Sequence, residues 1–212
     1  MRPKIAIIYN EPLADRYSDM GESKAEFSVL DEVEAVHQAL AASGYSTLRV
    51  PLRPPLNQVW EVLRGLRADL IFNLFEGFDG QPETEAAVAD ILAELGLPYT
   101  GCPPPALALA LDKTRAKAAL DAWGIGTPRG QLLTPETLST FHLSYPCIVK
   151  PCKEDASHGL SPESVVNDPA SLERQVTKVS QLFGGKALVE EFLEGREFNA
   201  AVLGNGEPIA LP

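Results

Sequence analysis

Two hydrophobic signatures alternate along the first hundred residues. Lys4-Ile5-Ala6-Ile7-Ile8-Tyr9 is a short β-branched run ended by Asn10-Glu11-Pro12, the pattern of a strand buried on both faces. From Ser28 to Ser43 the apolar residues Val29, Leu30, Val33, Val36, Ala39 and Leu40 recur at helical spacing until Gly44 stops them. The unit repeats: a strand Thr47 to Leu52, a helix from Asn57 to Leu66, a strand Asp69 to Leu74, and a helix from Glu83 to Leu95 closed by Gly96. This alternation predicts a doubly wound parallel sheet. Ligands of such sheets sit outside the carboxyl ends of the strands, so Asn10-Glu11 and Phe75-Glu76-Gly77 are expected to face a crevice.

The pattern changes at Cys102-Pro103-Pro104-Pro105, which places a domain boundary near residue 101. Ala106 to Leu120 reads as helix, interrupted near Leu111-Asp112, where Asp112 can cap a new start. Beyond it come short strands, Gly130 to Leu133, Cys147 to Lys150, Ala187 to Phe192 and Phe198 to Leu203, with a helix from Pro169 to Phe183. This part reads as α+β. A further strand, Pro208 to Leu211, is expected to belong to a sheet left unfinished at Pro212.

Composition narrows the function. At 212 residues and 45% hydrophobic, the chain has material for one large or two modest cores. Eighteen basic against 29 acidic residues, a net charge of −11, argue against a partner such as nucleic acid, which needs a basic face. No apolar run approaches the roughly 18 residues of a membrane span. Three cysteines, Cys102, Cys147 and Cys152, without a zinc spacing fit a reducing cytoplasm. His37, His142 and His158 are scattered, so no metal cluster is expected, and neither a Walker loop nor a nucleophile elbow is present.

Three segments can carry chemistry. Tyr145-Pro146-Cys147-Ile148-Val149-Lys150 is a buried strand that delivers a lysine at its end, within reach of a polyphosphate. The polar loop after it, with Ser157 and Gly159, can offer backbone N–H groups and a hydroxyl to phosphates. An edge-strand lysine followed by a solvated loop is the alternative. Leu188 to Glu197 is an apolar strand turning acidic, able to line an adenine pocket; a hairpin turning at Glu194-Gly195 with Phe192 in the core is the alternative. Lys113 stands at a helix start or on a solvated face.

In order, Gly96-Leu97-Pro98-Tyr99-Thr100-Gly101, Ala108 to Lys113, Lys117 and Gly124-Ile125-Gly126-Thr127-Pro128 resemble the D-alanine–D-alanine ligase family of the ATP-grasp superfamily, and the likeness runs from the first strand to about Leu203. It implies a Rossmann-like pre-ATP-grasp domain over 1–101, a central ATP-grasp subdomain with a phosphate lid loop over 102–187, and the start of a C-terminal subdomain over 188–212. It implies that Lys113 and Lys150 contact the phosphates of ATP, with Ser157 and Gly159 in the lid. Glu190 would accept from the adenine amine, the backbone of Glu191 and Leu193 would pair with the ring edge beside Phe192, and Glu197 would hold the ribose. Lys150, Ser157 and Glu76 become the catalytic candidates, and an amino acid, D-alanine first, becomes the substrate, with a homodimer as an option.

The implied reaction, a step of peptidoglycan biosynthesis, turns a carboxylate into an acyl phosphate that an amine attacks to give an amide. The chain departs from the family pattern in its first loop, which lacks the usual glycines and offers Glu11, and after the third strand, where Phe75-Glu76-Gly77 replaces a His-Gly pair. Nor does it contain a counterpart of the region that carries the family's catalytic arginine and its acidic and Asn ligands for Mg²⁺, so the 212-residue chain is expected to be incomplete for catalysis. The competing readings are a nucleotide-binding module or fragment without turnover, a ligase for another amino acid, and a sensor of a small acidic ligand that uses only the first sheet.

Overall fold

The computed structural model describes residues 2–11, 23–78, 80–154 and 157–211, with side chains in the first helix from Val29 onward. Pro12 and Pro212, named above, and Asp155 and Ala156 in the polar loop after Lys150 lie outside the described residues.

The β-branched run forms β1 (Lys4–Asn10), followed by α1 (Ser23–Ala42), β2 (Ser46–Leu52), α2 (Leu56–Gly65), β3 (Leu70–Leu74) and α3 (Thr84–Glu94). The three strands are parallel in the order β2-β1-β3. Period-two alternation decides which helix each side chain meets. Ala6 and Ile8 point to α2 and α3, packing with Val59, Leu63, Val88 and Leu92, while Ile7 points to α1 and packs with Val29 and Val33. Both faces are covered, as the unbroken apolar run requires. α1 begins five residues before Ser28, where the apolar repeat starts. Gly44 and Gly96 end their helices at φ +79° and +66°, a conformation that favours glycine. Residues 98–100 continue the sheet beside β3: Ile71 N–H donates to Pro98 O at 2.8 Å and Thr100 N–H to Ile71 O at 3.0 Å.

After the prolines come α4 (Pro104–Leu111) and α5 (Lys113–Ala122), separated at Asp112, whose carboxylate accepts from the backbone N–H groups of Thr114 and Arg115 and caps α5. A second core gathers under an antiparallel sheet built from β4 (Gly130–Leu133), β5 (Cys147–Pro151), β6 (Val165–Val166) and, after α6 (Pro169–Phe183), β7 (Ala187–Glu191), in the order β4-β7-β5-β6. Leu133, Cys147, Val149, Val166, Ala187 and Val189 face α6 through Leu172, Val176 and Val179.

Two expectations need correction. The strand expected over Phe198 to Leu203 is only β8 (Val202–Leu203), paired with β9 (Ile209–Ala210). Phe198 is 76% exposed, so no packing surface extends the pleat to it. The alternative hairpin at Glu194-Gly195 does not form either: β7 pairs with β4 and β5. Among the described residues no helix is long and apolar enough to cross a membrane.

Candidate functional site

Since Cys147, Val149 and Pro151 are buried on the α6 side of β5, Ile148 and Lys150 must point to the opposite face. The register Ile148↔Glu190 and Lys150↔Leu188 puts Glu190 on that face too, diagonal to Lys150. The third strand in the row, β4, places Gly130 beside Glu190. A Cβ on Gly130 would stand 3.3 Å from Glu190 Cγ, so its absence leaves room for the carboxylate.

Glu190 is only 5% exposed, and a buried carboxylate requires partners. It has two: Lys117 Nζ donates to Oε1 at 2.5 Å and Lys150 Nζ to Oε2 at 2.9 Å. Burial pushes its carboxyl up, and the hydrogen bonds from Lys117 and Lys150 outweigh that, holding it below its ordinary value. It is therefore an anion at neutral pH. Lys117 also donates to Pro128 O at 2.5 Å, so one helix, two strands and the segment before β4 meet at this cluster.

The other candidates gather around the end of β5. Lys113 opens α5; its backbone N–H donates to Cys152 O at 3.1 Å and its ammonium to the carbonyl of Glu154, so this lysine stands against the loop that follows β5. Lys153 lies 4.0 Å from Asp112 with its side chain 69% exposed. A cavity of about 310 Å³ opens here, lined among others by Asp112, Thr114, Cys152, Lys153, Phe183 and Lys186. Burial, then the nearby Asp112, pushes the Cys152 thiol up, so it is not a ready nucleophile.

Ser157 and Gly159 form a turn with φ +62° and +76°, closed by Leu160 N–H donating to Ser157 O at 3.0 Å. Gly159 has no alternative there, since a Cβ would lie 2.6 Å from the Phe183 ring and 3.0 Å from Pro151 Cγ. Replacing Gly159 by alanine is expected to lower stability by about 1–2 kcal/mol from the left-handed backbone alone. A lower urea midpoint with an unchanged slope is the expected readout; an unshifted midpoint would mean that the turn relaxes freely.

Past β7 the chain has little regular structure. Glu191 pairs with Arg129, which holds its carboxyl low, and its N–H donates to Arg129 O at 3.0 Å. Phe192 is half-buried and donates its N–H to Pro146 O at 3.0 Å, whereas Leu193 and Glu197 are exposed. Glu76 belongs to the other sheet, at the carboxyl end of β3, where its N–H meets Asn10 Oδ1 at 3.4 Å. Glu11 pairs with Arg53, so the first crevice is lined by an ion pair. The fold thus unites Lys150 with Glu190 and Lys113 with the loop after β5, and leaves Glu76 with a separate strand end. Lys117 is the residue whose role the sequence did not disclose. One signal was there, since Lys117 lies four residues from Lys113 and therefore on the same helix face.

Comparison with known proteins bears on the family and the fold. Residues 134–212 match the family model described as the D-ala D-ala ligase C-terminus. A D-alanine–D-alanine ligase of Methylobacterium radiotolerans is 34% identical over 189 residues, covering 88% of this chain and 59% of that protein. D-alanine–D-alanine ligase B of Xanthomonas campestris is 34% identical over 200 residues, covering 91% and 59%. The chain thus spans about three-fifths of the length of these curated relatives. Among solved structures, the VanG D-Ala:D-Ser ligase of Enterococcus faecalis superposes with a TM-score of 0.70 at 20% identity, covering 99% of this chain and 68% of that one. The D-alanine–D-alanine ligase of Bacillus anthracis complexed with ATP gives 0.63 at 19% identity, covering 98% and 67%. At these identities the structural likeness speaks for the fold.

Proposed function

The chain belongs to the D-alanine–D-alanine ligase family, with the ATP-grasp fold, and from that premise we propose that it binds ATP on the face of the antiparallel sheet turned away from α6, as part of an ATP-dependent carboxylate–amine ligase. One observation supports this most: Lys150 is delivered by a buried strand onto that face, seated on the buried Glu190. Lys113 stands at the loop after β5, and the left-handed turn of Ser157 and Gly159 lies further along that loop. Ammonium groups, a hydroxyl and turn N–H groups are the donor set that a polyphosphate needs, so the residues present fit ATP.

In this reading Lys113 and Lys150 hold the phosphates, Ser157 and the turn at Gly159 close over them, and the segment after β7 receives the base. Backbone groups of Glu191 and Leu193 meet the ring edge, Phe192 lies against it, Glu197 holds the ribose, and Glu190 has lone pairs left for the adenine amine beside its two lysines. Residues 1–101 and the unit that carries the antiparallel sheet, β7 included, then act as the two walls of the site, with the segment after β7 beginning a third. The terminal phosphoryl group of ATP would pass to a substrate carboxylate, giving an acyl phosphate and ADP; an amine would then add to the acyl carbon, and phosphate and a proton would leave as the amide forms. The chain's contribution is positioning and charge neutralisation by its lysines. D-alanine is the first amino acid to test, and Glu76 at the strand end of the other sheet the group to test against it. Mg²⁺, which such ligases are expected to use, takes one or two carboxylates beside substrate phosphates, and no role above involves it.

The test is ATP binding by thermal shift and calorimetry. Lys150→Ala is expected to lose about 1.5–3 kcal/mol of ATP affinity, the scale of a preorganised charged hydrogen bond. Lys153→Ala, a change at a 69% exposed side chain, is expected to lose far less. Equal losses would remove Lys150 from the phosphate site. Binding without phosphate release in the presence of D-alanine would favour a nucleotide-binding module over a ligase.

A further inference from the structure

The two lysines on Glu190 are not equivalent. Lys117 Nζ has two acceptors, Glu190 Oε1 at 2.5 Å and Pro128 O at 2.5 Å. It projects from the middle of α5, a helix anchored at its start by the Asp112 cap and by the bond from Lys113 N–H to Cys152 O. Lys150 Nζ has, among the described residues, one partner, Glu190 Oε2 at 2.9 Å, and its side chain is the more exposed, 27% against 21%. One cation is held at two points; the other is held at one and can leave.

A buried carboxylate deserted by its only counter-ion is strongly penalised. If Lys150 were that only counter-ion, moving its ammonium to a phosphate would strand Glu190, and the penalty would be subtracted from phosphate binding. Lys117 removes this conflict. It stays when Lys150 goes, already bonded to Oε1 of the carboxylate at 2.5 Å. We propose that Lys117 is a positioning residue for the nucleotide site: the resident counter-ion of Glu190, whose presence releases Lys150 to the phosphates. The proposal rests on the reading of Lys150 as a phosphate contact.

The readout is the ratio of ATP to adenosine dissociation constants, in which contacts to the base and ribose cancel. It is measured by calorimetry on the full chain for the wild type, Lys117→Met, Lys117→Arg and the double variant Lys117→Met/Glu190→Gln. In Lys117→Met the ratio is expected to rise about tenfold, the scale of coupling between contacting charged groups, with adenosine binding little changed. Lys117→Arg is expected to stay near the wild type. The double variant no longer has a buried carboxylate to satisfy, so its ratio is expected to return to the wild-type value; it also folds without an unpaired anion, which keeps the test decisive if Lys117→Met does not fold. Equal weakening of ATP and adenosine in Lys117→Met, or a double variant with a raised ratio, would overturn the proposal while leaving Lys150 as a phosphate contact. A wild-type chain that does not bind ATP would overturn the nucleotide reading, and this proposal with it.

Discussion

Replacing Glu190 by alanine is expected to lower the unfolding free energy at neutral pH by about 2–4 kcal/mol, slightly below the range for breaking a fully buried pair because both lysines reach some solvent. The carboxylate is 5% exposed and joins α5, β5 and β7 through Lys117 and Lys150. Its loss leaves two partly buried ammonium groups without an anion. The sign of the pH dependence follows from its lowered pKa. A carboxyl that titrates lower when folded contributes stability that is present above its unfolded pKa of about 4.3 and is lost as pH falls through the folded value. Wild type and Glu190→Ala should therefore differ in urea midpoint at pH 7 and converge in acid. A shift at pH 7 worth under about 0.5 kcal/mol would mean that water already screens the cluster.

The second large effect is expected in the other core. Ile71→Ala should cost about 2–5 kcal/mol, the range for removing a fully buried branched side chain. Ile71 is 0% exposed, pairs with Ala6 across β1 and packs in the cluster that contains Val59, Leu63, Val88 and Leu92. Its backbone also holds Pro98 and Thr100, so the cavity opens where the sheet is extended toward α4. Leu30→Ala, at a position 40% exposed, serves as the control and should change stability by less than about 0.5 kcal/mol. Similar losses for the two would mean that the parallel sheet is not packed as described.

The one-dimensional pattern was enough wherever the decisive contact was local or the burial total. The run Ile5 to Ile8 has no polar position, and only a strand covered on both faces accommodates that. Asp112 could be read as a break because its side chain serves N–H groups two and three residues away. Lys150 could be placed at the end of a buried strand because Cys147 and Val149 precede it at period two. The weak strands are shorter than their local pattern, since two-residue pairings such as Val202–Leu203 depend on a partner and on cover that no local pattern reveals.

The partners of the site were decided only in three dimensions. That Lys117 meets Glu190 depends on a contact spanning 73 residues and on how α5 docks on the sheet. Glu190 was legible as a strand residue, yet its role as the shared anion of two lysines follows from the order β4-β7-β5-β6, which puts β7 between Gly130 and Lys150. Hydrophobic periodicity encodes which face of an element is buried, because burial is a property of each residue. It does not encode which strand lies alongside or in what register, because those are set by long-range pairing, and that pairing is what turned two lysines and a glutamate, scattered along the chain, into one charged cluster.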